Sequence, residues 1–502
     1  MKINYQIIFY FFGILLMFNG GFMFIASLLS YIYNDGITDS LIVSGIIVLS
    51  LGAFCAIYNR NFDTNLNKRE GYIVVIFGWI VMILSGSLPY VLTDSIPGGF
   101  TNIIFETTSG YTTTGATILD SIETLPKGII FWRSITHWIG GMGIIVLAIA
   151  ILPLLGIGGM QLFSAEAPGP SADKLHPRIT DTAKRLWLIY LSFTLIETLL
   201  LSVFGMSIFD AINHSMSNIA SGGFSTKDNS LAFWNDQPII QYIVIVFMFI
   251  AGTNFILLYY IFKGRFDKLR LDEEFKLYFK FILFFTFIVA LIIFFNLNVI
   301  EDPVIKELLS GSIPQQVEGV IRHSLFQVVS IVTTTGFVTA DYTAWTPFLI
   351  LIFFGLMFIG GSAGSTSGGF KIVRHLLLIK NGFLEFKRIL HPNAIIPVRY
   401  NNKSVPSGIV YNILGFFIIY MLSFMVGALG FSMFGLDFQS ALGVSASSLG
   451  NVGPSIGDYG PMGTFSEMPI LAKWWSSFLM IVGRLELFTV LIIFTAYFWK
   501  KR

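Results

Sequence analysis

Apolar residues run in long blocks along this chain, separated by short polar stretches. A membrane-spanning helix takes roughly 20 predominantly apolar residues. Runs of about that length occur near residues 7–33, 41–58, 72–92, 129–155, 186–205, 239–262, 277–296, 409–431 and 474–499. A tenth begins at Pro347 and is interrupted at Gly360, so the pattern predicts ten spans, one of them broken. Four shorter, half-polar segments (roughly 99–111, 208–220, 319–332 and 437–449) lie between spans and are too short to cross. The first run continues from Ile7 to Tyr33 with no small-residue cleavage site, so it reads as a retained helix rather than a signal peptide.

Composition supports lipid as the solvent. The chain has 502 residues, 54% hydrophobic and only 12% charged, against about 25% charged in ordinary soluble domains. A net charge of +2 gives no case for nucleic-acid binding. The lone cysteine, Cys55, can form neither an intrachain disulfide nor a metal site and reads as a small buried hydrophobe. With the N-terminus inside, 24 of the 31 Lys/Arg fall on the inner side: Lys2, Arg60 to Arg69, Lys174 to Arg185, Lys263 to Lys280, Lys371 to Lys403 and Lys500 to Arg502. That bias predicts both termini on the cytoplasmic side.

The half-polar segments carry an internal repeat. They end in TTTGAT (112–117), ASGGFST (220–226), TTTGFVT (333–339) and GNVGPS (450–455). Aligning Gly115, Gly223, Gly336 and Gly453 gives separations of 108, 113 and 117 residues. Two positions not used in the alignment then agree. Six residues before each glycine stands a serine (Ser109, Ser217, Ser330, Ser447), and five after it an aspartate (Asp120, Asp228, Asp341, Asp458). The period is too long for a solenoid. It fits a helix, a re-entrant pore helix, an extended loop and a second helix, four times over. Non-helical backbone at membrane depth is tolerated only in protein or beside water, and four copies around one axis satisfy this. The expected fold is therefore an all-α polytopic membrane protein with four such repeats around a pseudo-fourfold pore, plus an extra N-terminal helix pair.

The loops carry cation chemistry. A filter that replaces an ion's water with backbone carbonyls needs extended chain, and glycine permits the backbone angles and the close approach. Thr113, Thr114, Gly115; Ser221, Gly222, Gly223; Thr334, Thr335, Gly336; and Asn451, Val452, Gly453 meet that need, and add only neutral side chains. With no carboxylate there, a divalent-cation filter built on an acidic ring is disfavoured. Helix C-termini aimed at the axis favour a cation. The four aspartates either form an outer collar that concentrates cations or turn their own loops; the two roles are compatible.

These loops, together with WRSITHWIGGMGIIVL (132–147) and the inner segment QLFSAEAPGPSADKLHPRITDTAKRLW (161–187), resemble the Trk/Ktr/HKT superfamily of cation transporters over nearly the whole chain. The linker and the leading helix pair favour its TrkH branch, the bacterial potassium-uptake subunits, over the shorter Ktr relatives. The resemblance implies a pore inside one chain and a homodimer of such chains. Glycine at all four key positions, Gly115 included, implies K⁺ as the transported ion. The family also implies a cytoplasmic partner, a TrkA-like ring of nucleotide-binding RCK domains. The fourth loop departs from the TTTG pattern, in the way TrkH-like chains do. The division expected is 1–70 for the extra pair, 71–160 for the first repeat, 161–270 for the second with its preceding linker, 271–390 for the third with its broken helix, and 391–502 for the fourth.

The broken span contains GGSAGSTSGG (360–369), in which Gly360, Gly361, Gly364, Gly368 and Gly369 lower helix propensity. The break lies past mid-membrane, below the filter, and reads as either a gate loop or a packed kink. Arg484 sits at membrane depth, eleven residues after Lys473. An intramembrane charge is a functional candidate by default. The resemblance implies an arginine under the filter that repels K⁺ in a closed state and holds the 360–369 loop through carbonyls. Its alternative is an ion pair; Glu486, two residues away, faces another side of a helix.

Glu106, Arg322 and Arg133 read as structural ion-pairing groups of the pore, Glu197 as an internally paired acid and His137 as a packed interior residue. No HExxH, paired catalytic histidines or phosphate-binding glycine loop occurs. The chain reads as a non-enzyme that passes K⁺ across a bacterial inner membrane. Its rivals are a Na⁺-conducting or H⁺/Na⁺-coupled symporter and, remotely, a membrane-embedded hydrolase. The hydrolase lacks a base for any nucleophile in the Gly/Ser tract, and no nucleotide-binding motif or covalent cofactor is expected in the chain itself.

Overall fold

The computed structural model describes residues 3–60, 67–151, 179–308 and 310–500; most of the linker at 161–187 lies outside these. All ten apolar runs are helical over their described residues, apart from the breaks given below. Six helices among the described residues are long and apolar enough to cross a membrane, and two bent pairs bring the number to eight. Lys127–Ile151 and Pro347–Leu356 supply the other two expected elements.

The leading pair, Tyr5–Tyr33 and Thr38–Tyr58, packs against the first repeat. Asn19 fixes it there: its amide donates to Ser85 Oγ at 2.7 Å, and its carbonyl oxygen accepts the Tyr111 hydroxyl at 2.6 Å. Tyr111 closes the first pore helix, so the pair buttresses the pore from outside.

Each repeat contributes a spanning helix, a pore helix, a loop and a return helix. The spanning helices are Lys68–Gly86 continued by Leu88–Thr93, Ile179–Val203, Glu273–Phe295 and Ser407–Met433. The pore helices are Phe100–Tyr111, Ile208–Ile219, Ile313–Val332 and Phe438–Gly450. The third starts earlier than residue 319, because Ser312 and Gln315 form a capping box with a proline in the first turn.

One expectation needs correction. Among the described residues three of the four return helices are broken, not one. Pro238–Ala251 and Phe255–Phe262 meet at 108°, as do Ile470–Arg484 and Phe488–Phe494. At the first break Asn254 recaps the chain, accepting from Ile256 N at 2.8 Å. At the second, Glu486 and Leu487 take φ of 54° and 29°. Neither break contains a glycine-rich tract, so hydropathy alone reads straight through both. The third return helix resumes at Ile372–Leu390 and leads into a short hairpin, Arg399–Tyr400 paired with Lys403–Ser404.

Candidate functional site

The four pore helices end in one backbone motif. The residue two before each key glycine is left-handed: Thr113 at φ 53°, Ser221 at 55°, Thr334 at 54° and Asn451 at 53°. Each glycine is left-handed too, with φ of 83° at Gly115, 82° at Gly223, 81° at Gly336 and 95° at Gly453. The residue between them donates its N–H to the carbonyl of the serine found in register: Thr114 to Ser109 at 3.0 Å, Gly222 to Ser217 at 2.9 Å, Thr335 to Ser330 at 2.9 Å and Val452 to Ser447 at 3.0 Å. A left-handed Thr or Ser costs roughly 1–2 kcal/mol and persists only where the surroundings over-determine it. Three serines also use their hydroxyls, Ser217 Oγ lying 2.9 Å from His137 Nδ1. Ser330 Oγ donates to Phe337 O at 2.7 Å and Ser447 Oγ to Gly453 O at 2.8 Å.

The loops close into a ring. A Cβ on Gly115 would stand 2.1 Å from Gly222 O, one on Gly223 2.2 Å from Thr335 O, one on Gly336 2.3 Å from Val452 O, and one on Gly453 2.5 Å from Thr114 O. Each glycine thus faces a carbonyl of the next loop, and the fourth returns to the first. Only glycine tolerates both the angle and the contact. Thr112 and Thr114, and Thr333 and Thr335, share hydroxyl bonds of 2.8 Å. In the fourth loop Asn451 takes the left-handed position that asparagine accepts best among non-glycine residues. Its amide donates to Thr114 Oγ1 at 3.0 Å and to Met480 O at 2.9 Å. The departure from TTTG therefore ties the last loop back to the first. Among the described residues no group of three or more His, Cys, Asp or Glu is placed to hold a metal.

The four aspartates do not behave alike. Asp120 accepts from the Thr464 hydroxyl and Asp228 from Ile122 N at 2.5 Å, so both clasp a neighbouring loop. Asp341 turns its own loop, accepting from Thr343 N at 2.9 Å. Asp458 lends its backbone N–H to Ser440 Oγ at 3.0 Å. Asp120, Asp228 and Asp458 are solvent-exposed.

The 360–369 segment is wedged against the helix ends and loops. Thr366 Oγ1 donates to Ile219 O at 2.9 Å, at the end of the second pore helix, and lies 3.0 Å from Ser221 Oγ. Gly368 N donates to Thr334 Oγ1 at 2.7 Å, and a Cβ on Gly368 would stand 2.5 Å from Gly450 O. Gly360 and Gly361 let the two strands of the segment touch: Gly360 N donates to Phe370 O at 3.0 Å and Gly361 N to Ser367 Oγ at 3.0 Å. Gly364 takes φ 71° and Gly369 67°. Arg484 ends its helix buried and donates to Thr366 O at 2.8 Å and Gly140 O at 2.8 Å.

Glu486 is not the partner of Arg484; it forms an ion pair with Arg374. Sequence reasoning missed that pair, Thr366 and Glu274. Glu274 is 2% exposed, and its carboxylate accepts from Ala363 N at 2.7 Å, inside the loop, and from Val373 N at 3.2 Å, just beyond it. In sequence it looks like an ordinary acid in a helix's first turn. Glu106 and Arg133 pair at 2.8 Å, and Arg322 pairs with Glu318 at 2.9 Å. Glu197 is held by the Asn218 amide at 2.5 Å, and His137 stacks on Phe224 at 3.9 Å between centroids.

A family model described as a cation transport protein, TrkH, matches residues 39–501. The chain is 40% identical over 491 residues to the Trk system potassium uptake protein TrkH of Escherichia coli K12, covering 97% of this chain and 98% of that one. The corresponding TrkH of Halomonas elongata is 39% identical over the same shares. The crystal structure of the potassium transporter TrkH from Vibrio parahaemolyticus superposes with a TM-score of 0.86 at 36% identity, covering 99% of this chain and 100% of that one.

Proposed function

The chain belongs to the TrkH family of cation transport proteins, and from that premise we propose that the ring of four loops is a K⁺ selectivity filter with a loop gate beneath it. The protein takes up potassium across a membrane; it is a transporter and not an enzyme. One observation carries the filter reading: each key glycine faces the carbonyl of the preceding residue in the next loop, all the way round. Such a ring can exchange an ion's water for backbone oxygen. The filter residues are Thr113, Thr114 and Gly115 and their counterparts in the other three loops.

The gate is the 360–369 segment with Arg484. Thr366 occupies the space below loop 2, and the Arg484 guanidinium adds a positive charge to the path. Opening requires the Arg484–Thr366 and Thr366–Ile219 bonds to break together. The aspartates keep the outer loops folded, and the three exposed ones raise the local cation concentration at the mouth. The five-part division of the chain follows the loop register. The relatives are named as parts of a Trk system, which supports work with further components. The reading extended to this chain is a homodimer in the bacterial inner membrane, termini inside, docked on a cytoplasmic TrkA-like RCK ring.

Paired uptake of K⁺ and Na⁺ into proteoliposomes tests the reading. K⁺ influx well above Na⁺ influx is expected. Equal influx of both would remove the K⁺ filter assignment.

A further inference from the structure

A third register position runs through the four repeats, nine residues before each key glycine: Glu106, His214, Gln327 and Val444. Three of the four hydrogen-bond to their own loop just beyond its glycine. The Glu106 carboxylate accepts from Thr117 Oγ1 at 3.0 Å and Ile118 N at 3.0 Å. His214 Nε2 lies 2.9 Å from Ser225 Oγ, and Gln327 Nε2 donates to Ala340 O at 2.9 Å. Val444, in the fourth repeat, has no polar atom to offer.

The first repeat adds a charge. Arg133 donates to Glu106 at 2.8 Å, with side chains 1% and 0% exposed. The guanidinium also reaches Thr117 Oγ1 at 3.2 Å and, across the repeat boundary, Ser225 O at 3.3 Å. It sits 3.8 Å over the Phe224 ring, next to Gly223. One buried ion pair therefore fastens the outer ends of loops 1 and 2 together from behind.

We propose that this register position braces the ring and sets how sharply it separates K⁺ from Na⁺, with the Glu106–Arg133 pair as its principal member. The inference rests on reading the ring as a K⁺ filter. K⁺ and Na⁺ carry the same charge, so the ring discriminates through the spacing and number of oxygens it presents. A loop free to move inward re-coordinates the smaller ion. Removing water from behind the loops makes each brace strong, because a buried charge-assisted bond has no solvent competitor. Glu106 and Arg133 are positioning residues that act through the loop backbone.

The test is the ratio of K⁺ to Na⁺ influx in proteoliposomes made with the full chain. Wild type is compared with Glu106→Gln, Glu106→Gln/Arg133→Gln and Gln327→Leu, each checked for a single gel-filtration peak. Glu106→Gln leaves the Arg133 charge unpaired behind the filter, so K⁺ influx itself falls. The double variant restores neutrality and with it K⁺ influx, but not the ratio. The expected drop in ratio is about tenfold in both Glu106 variants, the size set by one charged hydrogen bond, and smaller for Gln327→Leu. A merely structural role would lower both influxes and leave the ratio alone. Wild-type ratios in the double variant and in Gln327→Leu overturn the brace and leave the filter standing. A wild type that does not discriminate overturns the filter, and the brace with it. If Glu106→Gln yields no folded protein, the other two variants decide.

Discussion

Arg484 holds the carbonyl of Thr366 at 2.8 Å, although the two residues are 118 positions apart. Thr366 in turn donates to Ile219 O at 2.9 Å, at the end of the second pore helix. The last return helix, the intramembrane loop and the ring are thus one hydrogen-bonded unit. On the proposed gate reading, this unit blocks the path sterically and by charge.

Removing the charge should open the path. Two unit charges about 4 Å apart interact by about 4 kcal/mol at an effective dielectric of about 20. Arg484→Ala removes both that barrier and the hold on Thr366. K⁺ influx into proteoliposomes without any partner is expected to rise at least tenfold, equivalent to at least about 1.4 kcal/mol. Unchanged influx would remove Arg484 from the gate.

Glu274 should set the order of the loop. Glu274→Ala strands the N–H groups of Ala363 and Val373, which the carboxylate now satisfies. An unsatisfied buried donor costs about 1–3 kcal/mol. Hydrogen exchange at residues 360–373 is expected to speed up at least tenfold in detergent-solubilised protein, with exchange in the pore helices unchanged. Equal rates would show that the loop holds its own shape.

Asn451 should matter for stability as well as transport. Asn451→Val puts a β-branched residue at φ 53° and removes the bonds to Thr114 and Met480. Left-handed strain of about 1–2 kcal/mol adds to the lost hydrogen bonds. The melting temperature is expected to fall by several degrees, and Asn451→Gly to recover the part due to strain but not the part due to the lost hydrogen bonds. A Val variant as stable as wild type would contradict the backbone account.

The aspartates separate collar from turn. Asp228→Asn keeps an acceptor for Ile122 N and removes the charge. A collar predicts K⁺ influx lower by about twofold at low ionic strength, with the difference gone near 1 M salt where the Debye length is about 3 Å. A loss that persists at high salt would assign Asp228 to loop structure alone.

Much of the pore was legible because glycine, serine and aspartate recur at fixed offsets. The glycines mark left-handed backbone facing a carbonyl, and the serine carbonyls take the same hydrogen bond in every loop. The aspartates share a register without sharing a partner, so their offset foretold position and not role. The 360–369 break announced itself by five glycines in ten residues. The breaks at Gly252–Asn254 and Leu485–Leu487 did not. The first rests on a single recapping asparagine and the second on Glu486, whose backbone turns left-handed where its side chain pairs with Arg374. That partner lies 112 positions away, so no local pattern reveals it.

Gly115→Ser tests the central claim most directly. The serine would bring a Cβ to within 2.1 Å of Gly222 O at a φ of 83°, so one carbonyl of the ring must move. The measurement is K⁺ and Na⁺ influx side by side in proteoliposomes, wild type against Gly115→Ser. The account predicts strong K⁺ preference in wild type and a markedly reduced preference in the variant. Wild-type discrimination in the variant would contradict it.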